Sequence, residues 1–268
     1  MNQGNRRALV EDDTPAFKGS YDNKEYNLIV YENDIIKAPN GLEYRIIKAL
    51  GRGQFGSVFL VTENTSDPNK PIEYAMKITK SHPEYIAQAK LETQILSHIQ
   101  NNSTQEEMSN LLHLVNTFEY RQHIVIITEI LSFNLYDILA IREYQGIPII
   151  ELQATLKSIL EGLKTIKRHH IIHSDLKPEN ILRVNTESSK IKIVDFGSSR
   201  FDNQPFAAYI QSRYYRAPEV ILRLPHSYPI DMWSLGCVAA ELFVGLPIFP
   251  GNNEAQMMLY ITERLGPF

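Results

Sequence analysis

The hydrophobic pattern of this 268-residue chain changes character part-way along, and that change limits the folds open to it. From Glu43 to about residue 130 the apolar stretches are short and rich in branched and aromatic residues: "EYRIIKALG", "SVFLVTE", "EYAMKIT" and "HIVIITEIL". Bounded by turn-forming stretches such as "NTSDPNKP" and "NNSTQEEMSN", they read as strands. One helix interrupts them, "PEYIAQAKLETQILSHI", with Leu91, Ile95, Leu96 and Ile99 on one face. The earlier segment "YDNKEYNLIVYENDII" has a short apolar core suited to an accessory strand. Beyond residue 130 the period becomes helical. "IELQATLKSILEGLKTIKRHH" repeats Leu152, Leu156, Ile159, Leu160, Leu163 and Ile166; "IDMWSLGCVAAELFVG" is apolar almost throughout; "NEAQMMLYITERLG" is amphipathic. Only "KIKIVDFG" interrupts with a short strand. Strands first and helices afterwards give an α+β chain rather than a doubly wound one. The expected divisions are a disordered polar tail over 1–20, an accessory segment over 21–40, a β-rich lobe over 41–130 and a mainly helical lobe over 131–268.

Composition excludes several classes of function. Net charge is −4, from 27 basic and 31 acidic residues, so a general nucleic-acid binder is not expected. No apolar run approaches the ~18 residues of a membrane helix, and the first residues lack the apolar core of a signal peptide. The one cysteine, Cys237, lies in the apolar run "SLGCVAAELF" and reads as core packing, compatible with a reducing compartment.

The chemistry is concentrated in a few motifs. "GRGQFGSV" places Gly51, Gly53 and Gly56 between two expected strands, where backbone without Cβ atoms can close over phosphates. A strand, not a helix, follows, which argues against a dinucleotide fold. "AMKI" puts Lys77 in a strand, and Glu92 follows fifteen residues later beside the apolar stripe of the helix; such a pair can hold a phosphate-binding ammonium in place. "HSDLKPEN" supplies Asp175, Lys177 and Asn180. A carboxylate there can accept the proton of an attacking hydroxyl, a lysine can neutralise a transferring phosphate, and an amide oxygen can ligate Mg²⁺. Asp195 of "DFG" offers a second hard oxygen ligand. Taken singly, each has a plainer reading: a glycine hairpin, a solvated strand lysine, a polar turn.

In this order and spacing, and followed by "SRYYRAPE" and "DMWSLG", the motifs resemble the protein-kinase signature set over about residues 41–268. "LSFNLYDIL", "HSDLKPENIL", "DFGSS" and "YIQSRYYRAPEVIL" resemble the dual-specificity tyrosine-regulated kinases, especially the Yak-type members, with the homeodomain-interacting kinases close by. The resemblance implies a bilobal protein-kinase fold, ATP and Mg²⁺ as cofactors, protein substrates phosphorylated on serine and threonine, often before proline, and a cytoplasmic or nuclear setting. It implies that Leu50, Gly51, Gly53, Gly56 and Val58 cover the nucleotide, that Lys77 holds its phosphates and pairs with Glu92, and that Glu129 and Leu131 offer backbone hydrogen bonds to adenine. It makes Asp175 the catalytic base, Lys177 its cationic partner, Asn180 and Asp195 the metal ligands, and Asp231 the residue bracing the catalytic loop. Tyr209 matches an activation-loop tyrosine that such kinases phosphorylate on themselves. Arg213 and Arg216 are then its expected clamp, since phosphotyrosine carries about −2 charge.

Departures from the pattern accompany these matches. Thr128 stands where the family usually has phenylalanine, so a pocket behind the adenine is expected. Ala207 replaces a second loop tyrosine. Ser174 stands where many kinases carry arginine and this family cysteine, and Ser174→Arg is expected to change activity little. The chain ends at Phe268, before the helices that usually complete the helical lobe. Either a fragment of a longer kinase or a truncated gene product is therefore expected, with the partner arginine of Glu219 missing and a catalytically impaired pseudokinase or scaffold fragment as the alternative function. The presence of Lys77, Asp175 and Asp195 together favours the enzyme.

Overall fold

A computed structural model describes residues 6–64, 71–205 and 209–267. Most of the "NTSDPNKP" loop and the departure at Ala207 lie outside the described residues. The chain divides into two compact units, the first made of residues up to Gln94 with His113–Ile130, the second of Ile95–Leu112 with the residues from Leu131 on.

The first unit is built on one antiparallel sheet of six strands: β1 Ile35–Lys37, β2 Glu43–Gly53, β3 Gly56–Glu63, β4 Ile72–Thr79, β5 Leu114–Tyr120 and β6 His123–Glu129, in the order β1-β2-β3-β4-β6-β5. Alternation decides which residues face inward: Tyr44, Ile46, Phe59, Val61, Met76, Ile78, Val125 and Ile127 form the core. The sequence reading passes over β5, because Asn116, Thr117 and Glu119 break its apolar run. It is an edge strand, so only one side of its backbone is paired.

Residues 6–20 depart from the expected loose tail. Leu9 and Val10 are buried in the same core as Met76 and Val125, and Leu9 N donates to Val30 O at 3.0 Å. Arg6 pairs with Asp34. Arg52, on β2, donates to Leu9 O at 3.1 Å and pairs with Glu11 at 2.7 Å. The apolar triplet "ALV" within a polar stretch is the signal that composition overrode. Further along, Asp22 accepts from Ser81 and faces His123 Nε2 at 2.9 Å. The accessory segment is thereby tied to the end of β4 and the start of β6.

The second unit is mainly helical: α2 Leu135–Ile141, α3 Ile149–Arg168, α4 Pro218–Ile221, α5 Pro229–Val244 and α6 Glu254–Leu265, with two short antiparallel strand pairs. These pair β7 Ile171–Ile172 with β10 Arg200–Phe201, and β8 Ile181–Arg183 with β9 Ile191–Ile193. Asn134 and Asp137 cap α2 reciprocally. On α3 the buried face is Leu152, Ile159, Leu163 and Ile166, whereas Leu160, expected on it, is exposed. At the end of α5 Gly245 has φ +98, and a Cβ there would lie 1.8 Å from Tyr144 O, so only glycine fits. Ile95–Leu112, expected with the β-rich lobe, belong to this unit. Leu112 N donates to Ile193 O at 3.1 Å, Asn110 to Ile191 O at 3.2 Å, and Arg168 pairs with Glu107. The helix that carries Glu92, α1 (Pro83–Asn101), therefore runs across the division.

Candidate active site

In the first unit the strand–turn–strand of β2 and β3 carries the glycines. Gly51 lies opposite Val58, and Gly53 opposite Gly56. A Cβ at Gly51 would meet no atom within 4 Å, and one at Gly53 only Gly56 O at 4.0 Å, so this stretch of backbone is open. Gly56 differs: a Cβ there would lie 2.2 Å from Ile78 O on β4. Its glycine is needed for strand packing. Leu50 is exposed and Val58 half-buried. Val58 is also in register with Lys77 on β4. Lys77 Nζ reaches both carboxylate oxygens of Glu92, each at 2.9 Å. Glu92 is buried, a position a carboxylate holds only with a cation or hydrogen bonds beside it. Thr128 is buried on β6 and lies opposite Ala75. Glu129 N donates to His113 O, and its Oε1 accepts from His113 N. Its backbone N–H is thus spent inside the sheet, which limits its expected role toward adenine to the carbonyl. Leu131 follows in the second unit and is half-buried.

The loop after β7 holds a dense polar cluster. Asp175 Oδ1 accepts from Ser212 N at 2.9 Å and Ser212 Oγ at 2.7 Å. Its Oδ2 accepts from Lys177 Nζ at 2.8 Å and Asn180 Nδ2 at 3.3 Å. Lys177 Nζ also reaches Ser212 Oγ at 3.0 Å. Asn180 Nδ2 donates to Asp175 O at 2.9 Å, so the carboxamide nitrogen is committed and its orientation fixed. Asn180 O accepts from Val194 N, the residue before Asp195. Asp195 takes a left-handed backbone conformation, φ 58, and its Oδ1 accepts from Gly197 N at 3.4 Å. Beneath the loop, Asp231 on α5 accepts the backbone N–H groups of His173 at 2.8 Å and Ser174 at 2.9 Å. Its burial raises the Asp231 carboxyl above the ordinary range, and those N–H groups pull it back. His173, fully buried, sets its ring between Asp175 N and Val194 O. Ser174 is fully buried, has φ +65, and its hydroxyl has no hydrogen-bond partner among the described residues.

Further along, Tyr209 is exposed and Arg216 lies over its ring, 4.1 Å from the centroid. Hydrogen bonding to Arg216, its charge, and then Arg213 hold the Tyr209 phenol below its ordinary range. Arg216 itself is buried: Nε donates to Ile210 O at 2.9 Å, and a terminal nitrogen to Gln211 O at 2.9 Å. Glu219 sits in the first turn of α4, half-buried.

The family model of the protein kinase domain matches residues 44–265. The chain belongs to the protein kinase family. A probable serine/threonine-protein kinase, yakA of Dictyostelium discoideum, is 39% identical over 264 residues, 98% of this chain and 18% of that protein. The dual specificity protein kinase YAK1 of Saccharomyces cerevisiae is 36% identical over 265 residues, 97% of this chain and 32% of that one. The dual specificity tyrosine-phosphorylation-regulated kinase mbk-2 of Caenorhabditis elegans is 38% identical over 254 residues, covering 94% and 30%. These relatives set the kinase on the tyrosine-regulated, Yak-type branch, and the chain spans only 18% to 32% of their length. The α+β architecture described above is the protein-kinase fold.

Within each unit the kinase motifs meet in space. Lys77 meets Glu92, Asp175 meets Lys177 and Asn180, and Tyr209 meets Arg213 and Arg216. Sequence reasoning missed Ser212, the residue that closes the Asp175 cluster, although it stands inside the quoted "SRYYRAPE". It also missed Glu241. That buried residue of α5 accepts from Tyr215 Oη at 2.6 Å, and burial pushes its carboxyl up to about 7. With Glu179, Tyr136, Ser212 and Pro247 it lines a cavity of about 340 Å³. A second acid, after Asp231, in an otherwise apolar helix was the available signal.

Proposed function

We propose that the kinase transfers the γ-phosphoryl group of ATP to serine and threonine hydroxyls of protein substrates, and that it phosphorylates its own Tyr209. One observation carries the transfer reading. The Ser212 hydroxyl donates to Asp175 and accepts from Lys177, so a hydroxyl between these two groups already has a base on one side and a cation on the other. A substrate hydroxyl held likewise is oriented by the Asp175 carboxylate, which takes its proton as the oxygen attacks. Lys177 offsets the negative charge that develops nearby.

The residues fit the nucleotide and its metal. The open backbone at Gly51 and Gly53 leaves room for phosphates, and Lys77 is held by Glu92. Asn180 and Asp195 offer two hard oxygen ligands, the small protein contribution typical of Mg²⁺, which takes its remaining ligands from phosphate and water. When bound, Mg²⁺ neutralises charge on the phosphates.

Two features suggest which peptides fit. The carbonyl of Gln211, next to Ser212, is taken by Arg216. It offers nothing to a substrate N–H, which favours proline, the residue without one. Glu179, in the cavity lined also by Arg213, Tyr136 and the buried Glu241, offers a carboxylate to an arginine or lysine in the substrate. The test is phosphorylation with Mg²⁺–ATP of a serine peptide carrying an upstream arginine and a following proline. Mass spectrometry of the protein runs in parallel, beside an Asp175→Asn control. Phosphate on the peptide and on Tyr209, absent in the control, is expected. Neither modification in a folded sample would sink the reading.

A further inference from the structure

Arg216 is 2% exposed and carries a charge that burial makes costly unless it is neutralised. Its donors are divided. Two nitrogens serve the carbonyls of Ile210 and Gln211, and the third donates to Glu254 Oε1 at 3.1 Å. Among the described residues this is its one ion pair. Glu254 opens α6, whose start is fixed by the Asn253 side chain accepting from Gln256 N at 3.0 Å. A carboxylate on a capped helix is thereby set against the guanidinium that blocks Gln211. The Tyr209 ring lies on the exposed side of the same guanidinium.

We propose that Glu254 is a positioning residue for substrate selection: through Arg216 it keeps the Gln211 carbonyl closed to the peptide. This rests on the reading of Gln211 given above. With Tyr209 unphosphorylated, loss of the carboxylate would leave only carbonyl oxygens and the neutral Tyr209 side chain around a buried cation, and Arg216 would turn toward solvent past Tyr209. The freed Gln211 carbonyl would then accept an N–H from whatever residue follows the phosphorylated serine. Selectivity for proline would fall because other peptides improve.

The test compares the whole chain with Glu254→Gln and Glu254→Ala on two peptides that differ only in proline or alanine after the serine. The kcat/KM ratio of proline over alanine peptide should fall about tenfold in Glu254→Ala, carried by KM for the alanine peptide, and less in Glu254→Gln. A helix anchor alone would slow both peptides equally, and an unchanged ratio in both variants overturns the proposal. A readout independent of activity is the side-chain Nε–H of Arg216 by ¹⁵N NMR, assigned with Arg216→Lys. Slow exchange is expected in the parent and fast exchange in Glu254→Ala, and equal protection in the two would also overturn it. If the parent phosphorylates neither peptide, the kinase reading fails, while the NMR comparison still decides whether Glu254 holds Arg216.

Discussion

Lys77 grips Glu92 through both oxygens of its carboxylate, at 2.9 Å each. Glu92 is almost wholly buried, whereas the lysine keeps 18% of its side chain in solvent. Glu92→Gln should therefore cost less than the about 3–5 kcal/mol of a fully buried broken pair. Its larger effect should be on kcat/KM for ATP, since Lys77 loses the group that aims it. Urea unfolding and nucleotide kinetics on the same sample separate the two. Stability lost with ATP kinetics unchanged would refute the aiming role.

Asp231 holds two buried backbone N–H groups, those of His173 and Ser174. Asp231→Ala leaves both without an acceptor, at about 1–3 kcal/mol for each unsatisfied group. The catalytic loop should loosen with it. Hydrogen exchange at residues 173 and 174 is the direct measure, and unchanged protection would contradict the bracing role.

Ser174 changes meaning once its surroundings are known. Ser174 is fully buried at positive φ, so Ser174→Arg should carry a stability cost beside its small expected effect on activity. Arginine must displace packed neighbours, at about 1–3 kcal/mol or more. Ser174→Cys goes the other way: it relieves a buried hydroxyl with no partner among the described residues and should raise stability by about 1 kcal/mol. Thermal melts of both variants check the sign of each.

Glu241 gives the fold a pH dependence. Its carboxyl ordinarily titrates near 4.5, and burial, partly countered by the Tyr215 hydroxyl, lifts it to about 7 with Glu179 adding to the rise. Between those values the folded protein keeps a proton that the unfolded chain releases, so stability falls as pH rises through that window. Glu241→Gln removes this contribution and should stabilise the protein more at pH 8 than at pH 5. Parallel melting curves across that range would disprove the assignment.

The sheet, the long helices and the polar loop were legible because each has a local signature: β-branched runs, a helical apolar face, clustered Asp, Lys and Asn. What stayed hidden depends on long-range partners. β5 pairs at an edge, where polar residues are tolerated, so its sequence reads as a loop. Leu9 and Val10 are apolar residues in a charged stretch, and only the neighbouring strands make them core. Ser212 acquires its place from Asp175, thirty-seven residues earlier. Glu241 reads as a surface acid until Tyr215 is set against it. Ile95–Leu112 look like the tail of one lobe's helix, yet their hydrogen bonds run to β9.

The family match begins at residue 44, but the apolar core begins at Leu9. The packed core therefore extends further toward the amino terminus than the catalytic motifs suggest. Leu9, Val10, Leu28 and Val30 share buried surface with Met76, the neighbour of Lys77. Proteolysis between these residues and β1 would strip cover from the strand that carries Lys77. The accessory segment is thus part of the packing that holds the strand of Lys77 in place.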